Sequence, residues 1–268
     1  MKDNYSYSPT FQPYHMVKES PWPLLMSIGM SMEFYGIYLF FKHSNWTYMW
    51  IGMTLIVYVA IMWWYDMVQE SIYYKDHTSF ANEGFKIGVI TFIISESMFF
   101  FSFFWCLFDT ILITKFDFDF PIPGIGMFDP NGFPLLNTIL LVTSSFTAHY
   151  SHMSIKNNNK FHGVLFMFYT VMLGIIFSYF QYLEYYESEF TIADSIYGSI
   201  FFMLTGFHGL HVMMGTTFFV VTLFRMLINH FNDVNHLSIE LGIWYWHFVD
   251  MVWILLYLML YKFPYLMI

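Results

Sequence analysis

Apolar residues in this chain come in long blocks rather than in an alternating or one-faced pattern. Seven predominantly apolar runs, at 22–41, 47–65, 87–108, 134–155, 161–183, 195–228 and 241–261, are separated by charged or turn-rich stretches. A run of about 20 apolar residues is the length of helix that crosses a hydrocarbon layer. The pattern therefore predicts an all-α membrane protein with seven transmembrane helices, organised as a single domain over residues 1–268. The sixth run exceeds the length needed to cross, so it is expected to tilt strongly or to project from the bilayer. Beyond the hydrophobic blocks no internal repeat is evident.

Composition strengthens this picture. The chain is 57% hydrophobic and 11% charged, whereas soluble domains average about 45–50% apolar and about 25% charged residues. Its one cysteine, Cys106, excludes an internal disulfide and any centre in this chain that needs two thiolates. The first 21 residues are polar, with neither an apolar signal core nor an arginine-rich amphipathic stretch, so no cleavable leader is expected. A single arginine, Arg225, set against 34 Phe, 21 Tyr and 21 Met, is a bias associated with organelle genomes. The net charge of -9 and the absence of a basic patch give nucleic-acid binding no support.

The charges also predict sidedness. Lys2, Lys18, Lys75, Lys86, Lys156, Lys160 and Arg225 fall on the side of the N-terminus, and only Lys42, Lys115 and Lys262 on the other. The positive-inside rule then puts the N-terminus in the cytoplasm-equivalent compartment and, after seven crossings, the C-terminus opposite. The loops at 109–133, with Asp117, Asp119 and Asp129, and at 184–194 are read as an acidic surface on that opposite side, either a docking site for a basic soluble partner or a solvated face. Trp22, Trp46, Trp63 and Trp64 near span ends fit an interfacial aromatic belt.

Few residues inside the spans can carry chemistry. Three carboxylates, Glu33, Glu96 and Asp250, lie within them, where a charge costs about 2.5–3.5 kcal/mol or more at the helix centre. Each needs a partner, a proton or a water. Glu96 sits midway along the third run among aromatics, in Phe92-Ile93-Ile94-Ser95-Glu96-Ser97-Met98-Phe99, and such surroundings favour its neutral form. A proton relay and a hydrogen bond that packs two helices both remain open for it. Asp250 follows His247 by three residues, which puts both on one helix face where they can pair. Glu33 is isolated between Met32 and Phe34, and its partner cannot be named from the sequence. His149 and His152, His208 and His211, and His247 would allow a shared metal or a bis-histidine haem. Against that, Gly206, Gly209 and Gly215 suggest a close-packing seam on the sixth helix, beside which histidines commonly form hydrogen bonds between helices. The histidines are read as structural, and no metal site is expected.

Taken in order, Ser20-Pro21-Trp22-Pro23-Leu24, the Glu96 segment, Pro134-Leu135-Leu136-Asn137-Thr138, the stretch 190–198, Gly206-Phe207-His208-Gly209-Leu210-His211-Val212 and Trp244-Tyr245-Trp246-His247-Phe248-Val249-Asp250 resemble subunit III of the haem-copper cytochrome c oxidases, from His15 to Tyr261. The resemblance implies a core subunit of respiratory complex IV in the mitochondrial inner membrane, N-terminus in the matrix and C-terminus in the intermembrane space. Two N-terminal helices would splay from a five-helix bundle, with structural phospholipids in the cleft between them. It also implies subunits I and II and further oxidase subunits as partners, with cytochrome c met only through the complex. Haem a and copper would lie in the partner subunits and no redox centre in this chain. Glu96 matches the buried carboxylate that reacts with hydrophobic carbodiimides and is linked to proton uptake by the core. His208, His211, His247 and Asp250 would form an intramembrane polar network. Trp64, Glu70 and His77 match lipid-contacting positions, although Tyr65 and Gln69 stand where the family usually has arginines, which weakens the grip on lipid phosphate. The stretch 115–132 departs from the family pattern, and its role is open.

Other classes share parts of this pattern. A seven-helix receptor or retinal protein would match the span count, but the orientation and the placing of Lys262 at the end of the last span argue against it. A haem-binding membrane cytochrome would use the histidines above. A quinol oxidase subunit III shares the fold and most of the motifs.

Overall fold

The structure, a computed structural model, describes residues 17–74, 77–117, 126, 128–233 and 235–266; for 111–117 and 266 only the backbone is described. Of the residues invoked above, Lys2, His15, Lys75 and Asp119 lie outside it, as do the side chains of Lys115 and Asp117. Seven long helices follow one another: α1 (Trp22–His43), α2 (Thr47–Gln69), α3 (Ser79–Asp117), α4 (Phe133–Lys156), α5 (Lys160–Glu187), α6 (Ile196–Leu227) and α7 (Leu237–Leu256). A π-helical segment, Glu70–Tyr74, extends α2, and another, Tyr257–Lys262, leads from α7 into the short α8 (Phe263–Leu266). The chain divides into two compact units, residues 1–85 and 86–268.

Among the described residues six helices are long and apolar enough to cross a membrane. α4 falls short by composition, not length: its 24 residues span about 36 Å at 1.5 Å per residue, more than the hydrocarbon thickness. Its inward face is polar, with Asn137, Ser144, Ser145, Ser151, His152 and Ser154 all buried. Two of its hydroxyls have a definite task. Ser144 Oγ accepts from the Trp246 indole at 2.8 Å and Thr138 Oγ1 from the Trp253 indole at 3.0 Å. Buried indole N–H groups require such acceptors, so the residues that lower α4's hydropathy are those that let α7 bury two tryptophans.

In the first unit α1 and α2 form a hairpin turned by Ser44 in the left-handed conformation. Gly36 and Gly52 make the close approach possible: a Cβ on Gly36 would lie 2.4 Å from the Met49 backbone, and one on Gly52 2.6 Å from that of Glu33. The ends are tied by Trp22 Nε1 donating to Asp66 Oδ2 at 2.5 Å.

The second unit is built on two hairpins. α4 and α5 are joined by a turn of three asparagines: Asn158 takes a positive φ of 57°, and Asn159 caps α5 by accepting from His162 N. Across them Ser151 donates to the Gly163 carbonyl at 2.7 Å, and the Thr147 and Thr170 hydroxyls meet at 2.8 Å. α6, capped by Ser195, is 32 residues long, about 48 Å against a hydrocarbon layer of about 30 Å, which agrees with the over-long sixth run. Arg225 at its end packs on Phe231 and donates to Ser238 at the start of α7. Burial and the nearby guanidinium hold His230, in the connecting loop, below the ordinary imidazole pKa. Trp246, Trp253, Phe177, Phe201 and Phe219 are the large side chains at the centre.

Two expectations change. α3 continues to Asp117, so Asp109 and residues 111–117 lie in a helix and not in a loop. α5 likewise runs to Glu187, which takes Glu184 off the acidic surface; it is 1% exposed inside the bundle.

Candidate functional site

α3 meets α6 and α7 through large side chains: Phe99 stands edge-on to Phe207, Phe100 edge-on to His211, and Phe92 stacks near Tyr245. Glu96 lies within this aromatic seam and is half-buried. Its Oε2 is 3.1 Å from His211 Nε2, a contact joining residues 115 positions apart. The other ring nitrogen of His211, Nδ1, is 2.7 Å from the Phe207 carbonyl. A carbonyl can only accept, so Nδ1 carries a proton. The Glu96–His211 contact then shares one further proton: a carboxylic O–H donates to Nε2, or an imidazolium N–H donates to a carboxylate. The imidazole side chain is 8% exposed and the carboxyl 25%, so the histidine end is the drier of the two. Tyr245 closes the site, its hydroxyl donating to the His211 carbonyl at 3.3 Å.

One turn earlier on α6, His208 is fully buried and its Nε2 donates to the Val249 carbonyl of α7 at 3.2 Å, with Trp253 and Phe177 against the ring. His208 and His211 thus both act between helices. His247 and Asp250 share a face of α7 as their spacing requires, yet no hydrogen bond or ion pair joins them. Asp250 lies beside Ser145 of α4 with Oδ1 unpartnered, and His247 is exposed, with the imidazole of His149 as its neighbour on α4. Helix spacing brings Cβ atoms together but leaves rotamers free, and here each side chain turns to a different neighbour. The expected seam of glycines also divides. A Cβ on Gly215 would press on the Trp246 ring at 2.8 Å, whereas Gly209 has nothing within 4 Å and Gly206 only the Tyr185 hydroxyl at 3.9 Å. Among the described residues no three His, Cys, Asp or Glu side chains converge as a metal-binding group.

Elsewhere, Glu33 Oε2 is buried against Gly52 without a hydrogen-bond partner. Trp64 is exposed near the end of α2, Glu70 opens the π-helical segment, and His77 packs on Phe85 at 5.0 Å. Sequence reasoning missed Glu184: Tyr261 Oη donates to its Oε1 at 2.5 Å, while Gln181, one turn earlier on the same buried face, has unpartnered amide atoms. The available signal was the Gln181-to-Glu184 spacing, which continues the inward face of Phe177.

The fold and the Glu96 pair can be set beside known proteins. The pattern described as "Cytochrome c oxidase subunit III" matches residues 12–265. This chain belongs to the cytochrome c oxidase subunit III family. Among relatives named cytochrome c oxidase subunit 3, that of Locusta migratoria is 44% identical over 251 residues, covering 93% of this chain and 95% of that protein. Those of Drosophila melanogaster and Damaliscus lunatus are 43% and 40% identical, each covering 96% of the relative. The motifs that carried the resemblance lie inside the matched region, so family membership extends over every helix described, and the chain is a multi-pass membrane protein of that family.

Proposed function

We propose that this chain serves as the non-catalytic third subunit of a mitochondrial cytochrome c oxidase, stabilising the subunits that reduce oxygen to water with electrons from cytochrome c and supporting their proton uptake. The observation that carries the reading is the match over 12–265 with 40–44% identity to oxidase subunits. Subunits I and II are its partners on this reading and hold haem a and copper, and this chain has no redox centre. The quinol-oxidase alternative is not favoured, because the relatives are named for cytochrome c. The inner-membrane orientation, N-terminus in the matrix, is supported by the basic residues. What supports a shared end for these charges is that Lys86 pairs with Glu240 near the start of α7 at 3.7 Å and that Lys160 at the start of α5 donates to Asn229 just after α6 at 3.2 Å.

Within that role Glu96 is the proton-related group. What supports it is the single proton it shares with a nearly dry histidine, an arrangement in which the proton can sit on either partner. His208, His247 and Asp250 contribute polar contacts around α6 and α7 rather than one connected network. Trp64, Glu70 and His77 are proposed to hold a phospholipid at the end of the α1–α2 hairpin, the exposed indole lying against acyl chain and headgroup region. The single cysteine agrees with redox chemistry residing elsewhere.

The test is to extract native membranes gently, capture the chain through an antibody to its N-terminal peptide, and record a reduced-minus-oxidised spectrum together with cytochrome c oxidation. A haem a signal with cyanide-sensitive turnover, both lost when the chain is stripped of its partners, is expected. Haem that stays on the stripped chain would make the histidines ligands and overturn the reading.

A further inference from the structure

A second pair of ionisable side chains lies outside the Glu96 site, where the last turns of α4 meet the residue that opens α7. His152 and His236 have ring centroids 5.0 Å apart with planes inclined by 53°. His152 is 7% exposed. Its Nε2 and the Nδ1 of His236 are both buried without a hydrogen-bond partner. Two buried ring nitrogens that no protein group satisfies call for a shared partner, since buried polar atoms are nearly always satisfied by protein, water or an ion.

The dimensions suit a shared ion. Imidazole nitrogens bind zinc at about 2.0–2.1 Å, and at a tetrahedral angle two rings so bound have centres about 5 Å apart. The surroundings hold charges of both signs. Glu240 stands one turn after His236, its N–H bonded to the His236 carbonyl at 3.2 Å, and its carboxylate acts on His152 while also meeting Lys86 at 3.7 Å. Lys156 and His149 act on His152 from α4 itself. Because no third ligand converges among the described residues, water or a small anion must fill the remaining positions.

We propose that His152 and His236 together bind one divalent transition-metal ion, with zinc as the reference ion, through two imidazole nitrogens and solvent. The site joins α4 to the start of α7 and carries no electron-transfer role, since zinc has no redox chemistry. It is independent of the oxidase reading, because it rests on contacts within this chain.

The experiment uses the gently extracted native complex containing this chain. After chelator treatment, diethyl pyrocarbonate modification of His236, Asn235-flanked and half-buried, is followed by peptide mass spectrometry with and without added zinc, exposed His149 serving as the internal control. Zinc is expected to slow modification of His236 at least tenfold and to leave His149 within twofold. In parallel, His236→Ala should remove one zinc equivalent per complex in equilibrium dialysis, and His149→Ala none. Equal modification rates with and without zinc would overturn the proposal and leave water as the group satisfying both nitrogens. Equal protection of His149, or a zinc count unchanged in His236→Ala, would also overturn it and reduce the binding to scattered surface histidines.

Discussion

Replacing Glu96 tests the shared-proton geometry most directly, because two substitutions of similar size make opposite demands on His211. In Glu96→Gln the side-chain amide can donate an N–H to His211 Nε2 over the same 3.1 Å, and the Nδ1–H bond to Phe207 is untouched. The loss should stay near the net value of one exchanged hydrogen bond, about 0.5–1.5 kcal/mol at most. In Glu96→Leu no donor remains, and an imidazole only 8% exposed is left with an unsatisfied nitrogen, at about 1–3 kcal/mol. That cost alone corresponds to roughly 5- to 150-fold in the folding equilibrium. Because 25% of the Glu96 side chain meets its surroundings, the converse change, His211→Leu, should cost less at the carboxyl than Glu96→Leu costs at the ring. The assay is equilibrium unfolding of the detergent-solubilised chain, with carbodiimide labelling as a second readout: Glu96→Gln should fold nearly as well as the parent and lose the label. If Glu96→Gln proves as unstable as Glu96→Leu, the contact is an imidazolium–carboxylate ion pair and the neutral hydrogen bond is refuted. Persistent labelling at undiminished yield would mean that another carboxylate reacts.

Further outcomes follow from other contacts. Gly215→Ala drives a methyl into the Trp246 ring, which Ser144 holds in place, and should destabilise the unfolding transition by about 1–3 kcal/mol. Gly209→Ala, with nothing within 4 Å, should instead stabilise the solubilised chain by up to about 1 kcal/mol through helix propensity; a loss there would refute the open space beside Gly209. Tyr261→Phe removes the donor to Glu184 and leaves a carboxyl that is 1% exposed with no partner, so it should cost about 1–3 kcal/mol, and the double variant Tyr261→Phe/Glu184→Leu should recover part of the loss in a double-mutant cycle. Gly36→Ala should be disruptive because its methyl meets backbone rather than a movable side chain, and proteolytic sensitivity at the turn near Ser44 is the measure.

The helices themselves were legible because crossing a bilayer is a local demand: some 20 apolar residues in succession satisfy it whatever their neighbours do. All seven runs became helices, and the length of the sixth carried over directly. The ends were less legible. Asp109, Glu184 and Glu187 stand just past the apolar runs and so read as loop residues, whereas a helix can carry its charged last turns beyond the apolar layer or, for Glu184, into the interior of the bundle.

The sequence by itself also singled out Glu96, His208 and His211, since a carboxylate or an imidazole inside an apolar run must have a reason to be there. It could not say that Glu96 meets His211, that His247 and Asp250 turn apart, or that His152 meets His236. These helices are apolar on nearly every side, so hydrophobic periodicity does not tell which face points inward. Rotation of each helix about its axis is set by packing: Trp246 and Trp253 seek hydroxyls on α4, and Gly215 admits an indole where Gly209 admits nothing. The chain's chemistry was written residue by residue, but its pairs were decided by that packing, because contacts between positions 115 or 84 residues apart depend on how whole helices fit together and not on what stands beside each group in the sequence.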